Sequence, residues 1–340
     1  MAIAERGYRR WEGRLRGRAL RWWIIARWGV RLSGQSKWLR RLVLAAWLPL
    51  LYWVLAFFAI GQVTDPETIG AVEDTWQFAL LKAQFGGALA DAFVRDPASF
   101  RPTIWATLFY FYLYTTQVWV MLVTAVVGPR LISADLSAHA LGLYFARPIT
   151  RLDYVAGKLG VVAFWIGAVT LGPVTALYGL SILFSPSLEA LSQTIFVWPR
   201  AAGACAVVMV GAGAPVLALS SLTRNPRFLG FAWAGLWVLS HVASTVLSLA
   251  IFRIGGAEGR DWTGLVSFFR NLLAVAFRFL EVETKLAPAA RLSHRASRWM
   301  ERYSYEHDWR WSLCLLLVGA ALSLWVVARR VGRAAEEGAQ

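Results

Sequence analysis

Residues 155–183 read VAGKLGVVAFWIGAVTLGPVTALYGLSIL, 29 residues with a single charge, Lys158, one turn inside the start. A helix of that length reaches about 44 Å, more than the roughly 30 Å hydrocarbon core of a bilayer. Five further runs have the same character: Leu42–Gly61, Ile104–Val127, Ala201–Leu222, Phe228–Phe252 and Trp311–Ala328. None holds a Lys or Arg at its centre, and Lys158 is close enough to its helix start to snorkel toward the interface. The 340-residue chain is 58% hydrophobic and 16% charged, whereas soluble domains carry about 25% charged residues. A soluble enzyme, a disordered chain and a fibrous repeat are excluded. The fold class is all-α, a polytopic membrane domain of six transmembrane helices over residues 42–328.

Loop charges set the orientation. Residues 1–41 carry 12 Lys/Arg and two Glu, and residues 62–103 carry three basic and six acidic residues. The positive-inside rule places the first segment in the cytoplasm and the second outside. Loop 128–154, with Arg130, Arg147 and Arg151, and the turn 223–227, with Arg224 and Arg227, fall inside, as does the tail 329–340 with Arg329, Arg330 and Arg333. Both chain ends are then cytoplasmic. The external loop 253–310 fits less well, with ten basic and seven acidic residues. Its segment Trp262–Leu280 is apolar enough to weigh as a seventh span. Arg270 and Arg278 would each cost about 2.5–3.5 kcal/mol near the bilayer centre, and a seventh span would send the basic tail outside. A helix lying in, or dipping partly into, the outer interface is the better expectation.

Near the start, Tyr8, Trp11, Leu15, Ala19, Trp22 and Trp23 share one side at helical spacing, with arginines around the rest. This predicts a basic amphipathic helix within 1–41, lying on anionic membrane lipids and moving with the first span. Tryptophans at the run ends (Trp38, Trp105, Trp198, Trp262, Trp309, Trp311) form the interfacial belt. With so much of the +15 net charge stacked beside spans, nucleic acid is not a partner.

Residues 128–158, GPRLISADLSAHALGLYFARPITRLDYVAGK, carry the most local information. Gly128-Pro129 is expected to end the second span, with Ser133 as N-cap and Asp135 at the positive start of a short cytoplasmic helix. Pro148 limits that helix, and Asp153-Tyr154 opens the third span. Such a helix either seats a soluble partner or clips two spans together.

The run from Leu131 to Gly160 closely resembles the cytoplasmic loop of ABC-2-type transporter permeases. Asp135, Leu143, Tyr144, Arg147, Pro148, Arg151, Asp153, Tyr154, Gly157 and Lys158 occupy the matching places, and Ala328-Arg329-Arg330-Val331 resembles that family's last-span ending. Leu265–Phe269 with Asn271-Leu272 resembles its external re-entrant segment, with Arg270 where a less polar residue is usual. The resemblance implies an exporter of two permeases, this chain with itself or a related chain, and two ATPase subunits. Coupling to the ATPase would fall to Asp135, Leu136, His139, Leu143, Tyr144, Arg147 and Pro148. Arg151, Asp153, Tyr154 and Lys158 would brace the loop, and the location would be a bacterial inner (plasma) membrane.

The chain has no GxxxxGK[ST] phosphate loop, because Gly157-Lys158 has Leu152 and Leu159 where a glycine and a hydroxyl are needed. It is therefore expected not to be an enzyme; Mg–ATP would sit on the partner ATPase and this chain would hold no cofactor. No span centres an Asp or Glu, against an ion-driven antiporter. Four scattered histidines make no metal cluster, and Cys205 and Cys314 lie in separate apolar runs. The expected pathway lining is the polar turn Thr115, Thr116 and Gln117 with the ladder Ser240, His241, Ser244 and Ser248. Small residues at Ala168, Gly172, Gly203, Gly211, Gly213, Gly230 and Ala234 predict close helix packing, and Pro173 and Pro215 predict kinks. The alternative function is a non-transporting anchor or force-transmitting subunit of the same ATPase complex.

Overall fold

The computed structural model describes residues 20–62, 75–146, 149–185, 189–223, 225–283 and 307–337. Tyr8–Ala19, Arg147, Pro148, Arg224 and residues 284–306 lie outside the described residues. Every described element is helical. In chain order these are α1 (Arg21–Ser33), α2 (Lys37–Ala46), α3 (Leu48–Gln62), α4 (Trp76–Phe85), α5 (Gly87–Arg95), α6 (Pro97–Ser137) and α7 (Leu141–Phe145). Then follow α8 (Arg151–Val169), α9 (Leu171–Leu183), α10 (Glu189–Thr194), α11 (Val197–Leu222), α12 (Pro226–Ser248), α13 (Phe268–Phe279) and α14 (Trp309–Glu337). A π-helical turn, Leu249–Ile254, prolongs α12, and a 3-10 turn, Thr263–Val266, precedes α13.

Six helical stretches are long and apolar enough to cross a membrane: Lys37–Gln62, Ser99–Ser137, Arg151–Leu183, Glu189–Leu222, Phe228–Phe252 and Trp309–Ala334. They overlap the six runs marked by sequence. Large apolar side chains stand exposed along three of them, among them Leu51 and Leu55 on α3, Phe231 and Leu239 on α12, and Val318 and Leu322 on α14. Hydrocarbon, not water, is the solvent that suits such faces.

Contacts sort the loops into two ends. At the basic end, α6 meets α11 where Ser220 Oγ accepts from the Ile132 and Ser133 amides, and Gly332 of α14 packs on the Arg151 guanidinium. At the opposite end Gln62 donates to the Phe184 carbonyl, Arg101 donates to Gln193 at 2.7 Å, and Arg200 pairs with Glu281 at 2.8 Å.

The second span does not stop at Gly128-Pro129. α6 runs on to Ser137, and Ser133 is a buried mid-helix residue, not an N-cap. Pro129 cannot donate to the Ala125 carbonyl, and Gly230 of α12 packs over that carbonyl, where a Cβ would lie 2.9 Å from the oxygen. One turn on, Ser220 accepts two α6 amides and donates to the Pro129 carbonyl at 2.9 Å. A serine of a neighbouring helix thus adds hydrogen bonds to the α6 backbone one turn past the proline. Pro173 acts as expected: the third span breaks at Thr170, three residues before it, because its ring crowds the carbonyl four residues back. Pro215 leaves α11 continuous.

The N-terminal helix also finds a different partner. α1 packs along α8: Gly157 meets Ile25 and the Trp22 carbonyl, Gly160 meets Ala26, and Gly29 meets Val161. The Trp165 indole donates to Ser33 Oγ at 2.8 Å. The described part of the basic segment is therefore fixed to the third span, with Trp28 and Leu32 left exposed. A Cβ at Gly157 would fall 2.6 Å from Ile25 Cβ and 2.9 Å from the Trp22 carbonyl oxygen. Gly157→Leu is expected to force α1 away at a cost of about 1–3 kcal/mol. Thermal unfolding in detergent should fall, and trypsin should cut faster after Arg27 and Arg31 than in the unaltered chain.

Candidate functional site

The residues marked in 128–158 converge at the basic end. Asp135, in the last turn of α6, accepts from the Tyr154 hydroxyl at 2.6 Å and pairs with Lys158 Nζ at 2.6 Å. Tyr154 and Lys158 stand four apart on α8, so both reach one carboxylate. Lys158 does not snorkel outward: it is 7% exposed and lies over the rings of Tyr154 and Tyr144, 5.3 and 5.9 Å from their centres. The Tyr144 and Phe145 rings of α7 pack on Tyr154. Burial, reinforced by the Asp135 carboxylate, pushes the Tyr144 phenol above its ordinary value, so it stays a neutral hydroxyl.

Asp135 is thereby held between α6 and α8, with its side chain 18% exposed. α6 ends where His139 takes φ 51°, a left-handed turn that costs a non-glycine residue about 1–2 kcal/mol. This turn puts Ala134, Ser137, Ala138 and His139 at the exposed tip. Leu136 is half-buried against the inner core, and Leu143 lies in α7. Asp153 closes a capping box with Thr150, which fixes the start of α8, and Arg151 reaches α14 at Gly332. Between α1 and the loop opens a cleft of about 680 Å³, lined by Ile24, Trp28, Leu32, Tyr144, Ile149 and the ion pair.

At the opposite end, the segment expected at the outer interface enters the bundle. Asp261 stands level with Ser248, which donates to its carboxylate. Two turns deeper along α12, Ser240 Oγ accepts from the Phe268 amide at 3.2 Å, and the Phe268 ring packs on Trp233 and Trp237. The segment thus descends about 12 Å, reckoned from the helical rise, then returns outward as α13, whose residues Asn271–Phe277 are all buried. With 12 residues, α13 reaches only about 18 Å and cannot span. It is a re-entrant helix packed among α6, α11, α12 and α14.

The residues expected to line a pathway hold this insertion in place. Ser240 carries the Phe268 amide, His241 Nδ1 meets Ser267 Oγ at 3.3 Å, Ser244 accepts from Arg270 Nη1 at 3.3 Å, and Ser248 serves Asp261. Their partners Asp261 and Ser267 carried no sequence signal beyond the ladder's own spacing. Thr116 and Gln117 are fully buried, each bonding back to the Leu113 carbonyl; the Gln117 Oε1 has no partner among the described residues, while Thr115 is exposed. Gly203 meets Phe279 and Gly211 meets Leu272, so the small residues of α11 seat the re-entrant helix.

Among the described residues no group of three or more His, Cys, Asp or Glu is arranged to hold a metal ion. Cys205 and Cys314 are free thiols. The class these features define is a polytopic, all-helical membrane protein with six apolar spans, of an architecture able to enclose a translocation pathway. No protein-family profile and no curated protein matches the chain.

Two predictions follow from this geometry. Asp135→Asn leaves the Lys158 ammonium buried without its counter-charge and is expected to cost about 3–5 kcal/mol. Adding Lys158→Met should recover most of it, which a double-variant cycle by unfolding in detergent checks. At the re-entrant junction, burial and then Arg270 lower the His307 imidazole, against the raising effect of Asp261 and Asp308. Burial raises the Asp261 carboxyl, but donors from Ser248 and Thr263 together with Arg270 outweigh it and leave the group low. Both contributions are whole above the ordinary values of 6.5 and 3.8 and are lost as pH falls through the lowered ones. Thermal stability should therefore fall in two acid steps, His307→Gln removing the first and Asp261→Asn the second.

Proposed function

We propose that this chain is the permease subunit of an ATP-driven exporter of the ABC-2 type. It would work in a bacterial plasma membrane, paired with itself or a related permease, with ATP bound and hydrolysed, as Mg–ATP, on separate ATPase subunits. The observation that carries this reading is the linkage of the loop tip to the spans. The tip at Ser137–His139 continues α6 directly, and Asp135 ties α6 to α8 through Tyr154 and Lys158. α6 is a 41-residue helix, a rod of about 60 Å, so a push on the tip tilts α6 and α8 together. At the far end the same rod bears on the re-entrant helix through Tyr110 against Phe277 and Tyr114 against Phe269. An ATPase seated on the tip could therefore drive the outer end of the pathway. The resemblance of 131–158 to the family's loop assigns that partner, and the basic end faces it from the cytoplasm.

The docking contact then falls on exposed Ser137, Ala138 and His139, with Asp135, Tyr144 and Tyr154 positioning them. Ala138→Trp is expected to weaken co-purification with the partner ATPase about tenfold, roughly 1.4 kcal/mol, while the membrane domain stays folded. The chain alone should not hydrolyse ATP, and the reconstituted complex should hydrolyse ATP and transport. Undiminished association would move the docking surface elsewhere. Association and hydrolysis without transport would favour the anchor reading, and hydrolysis by the isolated chain would overturn the permease reading.

A further inference from the structure

Arg270 breaks two rules of stability at once. It lies inside the bundle, on the inserted segment, where a cation is costly. It also occupies the first turn of α13, whose positive end disfavours it. Arg270 donates from Nη1 to Ser244 Oγ at 3.3 Å and makes no ion pair within 4 Å among the described residues. The nearest acidic influence is Asp261, whose carboxylate already accepts from the Ser248 hydroxyl, the Thr263 hydroxyl and the Thr263 amide. The other titratable neighbours are His241 on α12 and His307 at the start of the last span.

The group is also reachable. Arg270 and His241 are half-buried, not sealed. Phe269 bridges Tyr114 of α6 and His241 of α12, with ring centres 5.4 and 5.2 Å away. Beside it Tyr114, Thr115 and Val118 stand exposed on α6, and Val238 and Val242 on α12. The flank between α6 and α12 thus carries a mainly apolar exterior around Phe269, and Arg270 follows Phe269 on α13 with Nη1 alone of its guanidinium nitrogens engaged among the described residues.

We propose that Arg270, with Ser244 and His241 beside it, recognises the negatively charged head of an amphiphile whose apolar body lies along Tyr114, Phe269 and the outer face of α12. The inference rests on the permease reading only in making that flank part of the transport route; the binding itself does not need it. A half-buried cation kept against its own helix dipole, with no carboxylate within ion-pair distance among the described residues, matches a ligand that brings the charge, and the aromatic approach matches an apolar tail.

The test is photolabelling of the purified full chain in phosphatidylcholine liposomes, with no ATPase present. Phosphatidic acid and phosphatidylcholine probes carrying the same diazirine chain are compared, and adducts are mapped by mass spectrometry. Peptides containing Tyr114, His241 and Phe269 should favour the phosphatidate probe about tenfold, the worth of one good charge-assisted contact. Arg270→Gln should bring the ratio near one and Arg270→Lys should keep most of it. Ser244→Asp, which supplies an internal counter-charge, should also abolish it. Adducts on α1, where arginines attract anionic lipid independently, should keep their ratio in every variant and so report intact protein. Competition by decyl phosphate added in water would show that a free amphiphile shares the site, whereas its failure would confine the ligand to bilayer lipid. A ratio near one in the unaltered chain, or a ratio unmoved by both Arg270→Gln and Ser244→Asp, would overturn the proposal. Failure of the ATPase to associate would leave this result untouched and count only against the permease reading.

Discussion

The ammonium of Lys158 is the constraint around which the basic end is organised. It sits in an apolar helix, 7% exposed, where an unpaired charge is far costlier than at a surface. Asp135 meets it at 2.6 Å, but only because α6 continues past Gly128-Pro129 for two more turns. Ser220 of α11 joins that continuation, accepting from the Ile132 and Ser133 amides and donating to the Pro129 carbonyl. One buried charge thus ties together α6, α8 and α11. The rings of Tyr144, Phe145 and Tyr154 then close over the pair and seat α7.

The opposite end answers a different demand, that of placing irregular backbone inside an apolar bundle. Non-helical segments survive there only when neighbouring protein satisfies their polar groups. The 261–268 segment is served by α12 through Ser240, His241, Ser244 and Ser248, which meet in turn an amide, a hydroxyl, a guanidinium and a carboxylate. On its other side His307 lies against Gly264 so closely that a Cβ there would be 2.7 Å from the ring, and its Nε2 meets Ser312 Oγ at 2.9 Å. Polar residues that could line an open route are here committed to holding a re-entrant helix.

α6 links the two ends. Its inner turns carry Asp135 and the exposed tip, and its outer half presents Tyr110 and Tyr114 to α13. Close-packed interiors shift between discrete arrangements more readily than they deform, so displacement at one end of such a rod is felt at the other.

The six spans were legible because hydrophobic run length is a one-dimensional property, and a bilayer of fixed thickness reads it directly. The break before Pro173 was legible too, since proline acts on the carbonyl four residues back in its own helix. Asp135, Tyr154 and Lys158 were marked by the resemblance of their loop, but their pairing was not. The same holds for the serine ladder of α12, whose period announced a polar face without naming what it would hold. Pro129 did not end α6, and the cross-helix bonds of Ser220, 91 residues away, to the turn that follows it could not be read locally. α1 packs along α8 because Gly157 and Gly160 let the two backbones approach. Local composition thus determined which segments enter the membrane. Which polar group meets which was left to the tertiary structure, because in an apolar interior each such group must find its partner from another helix.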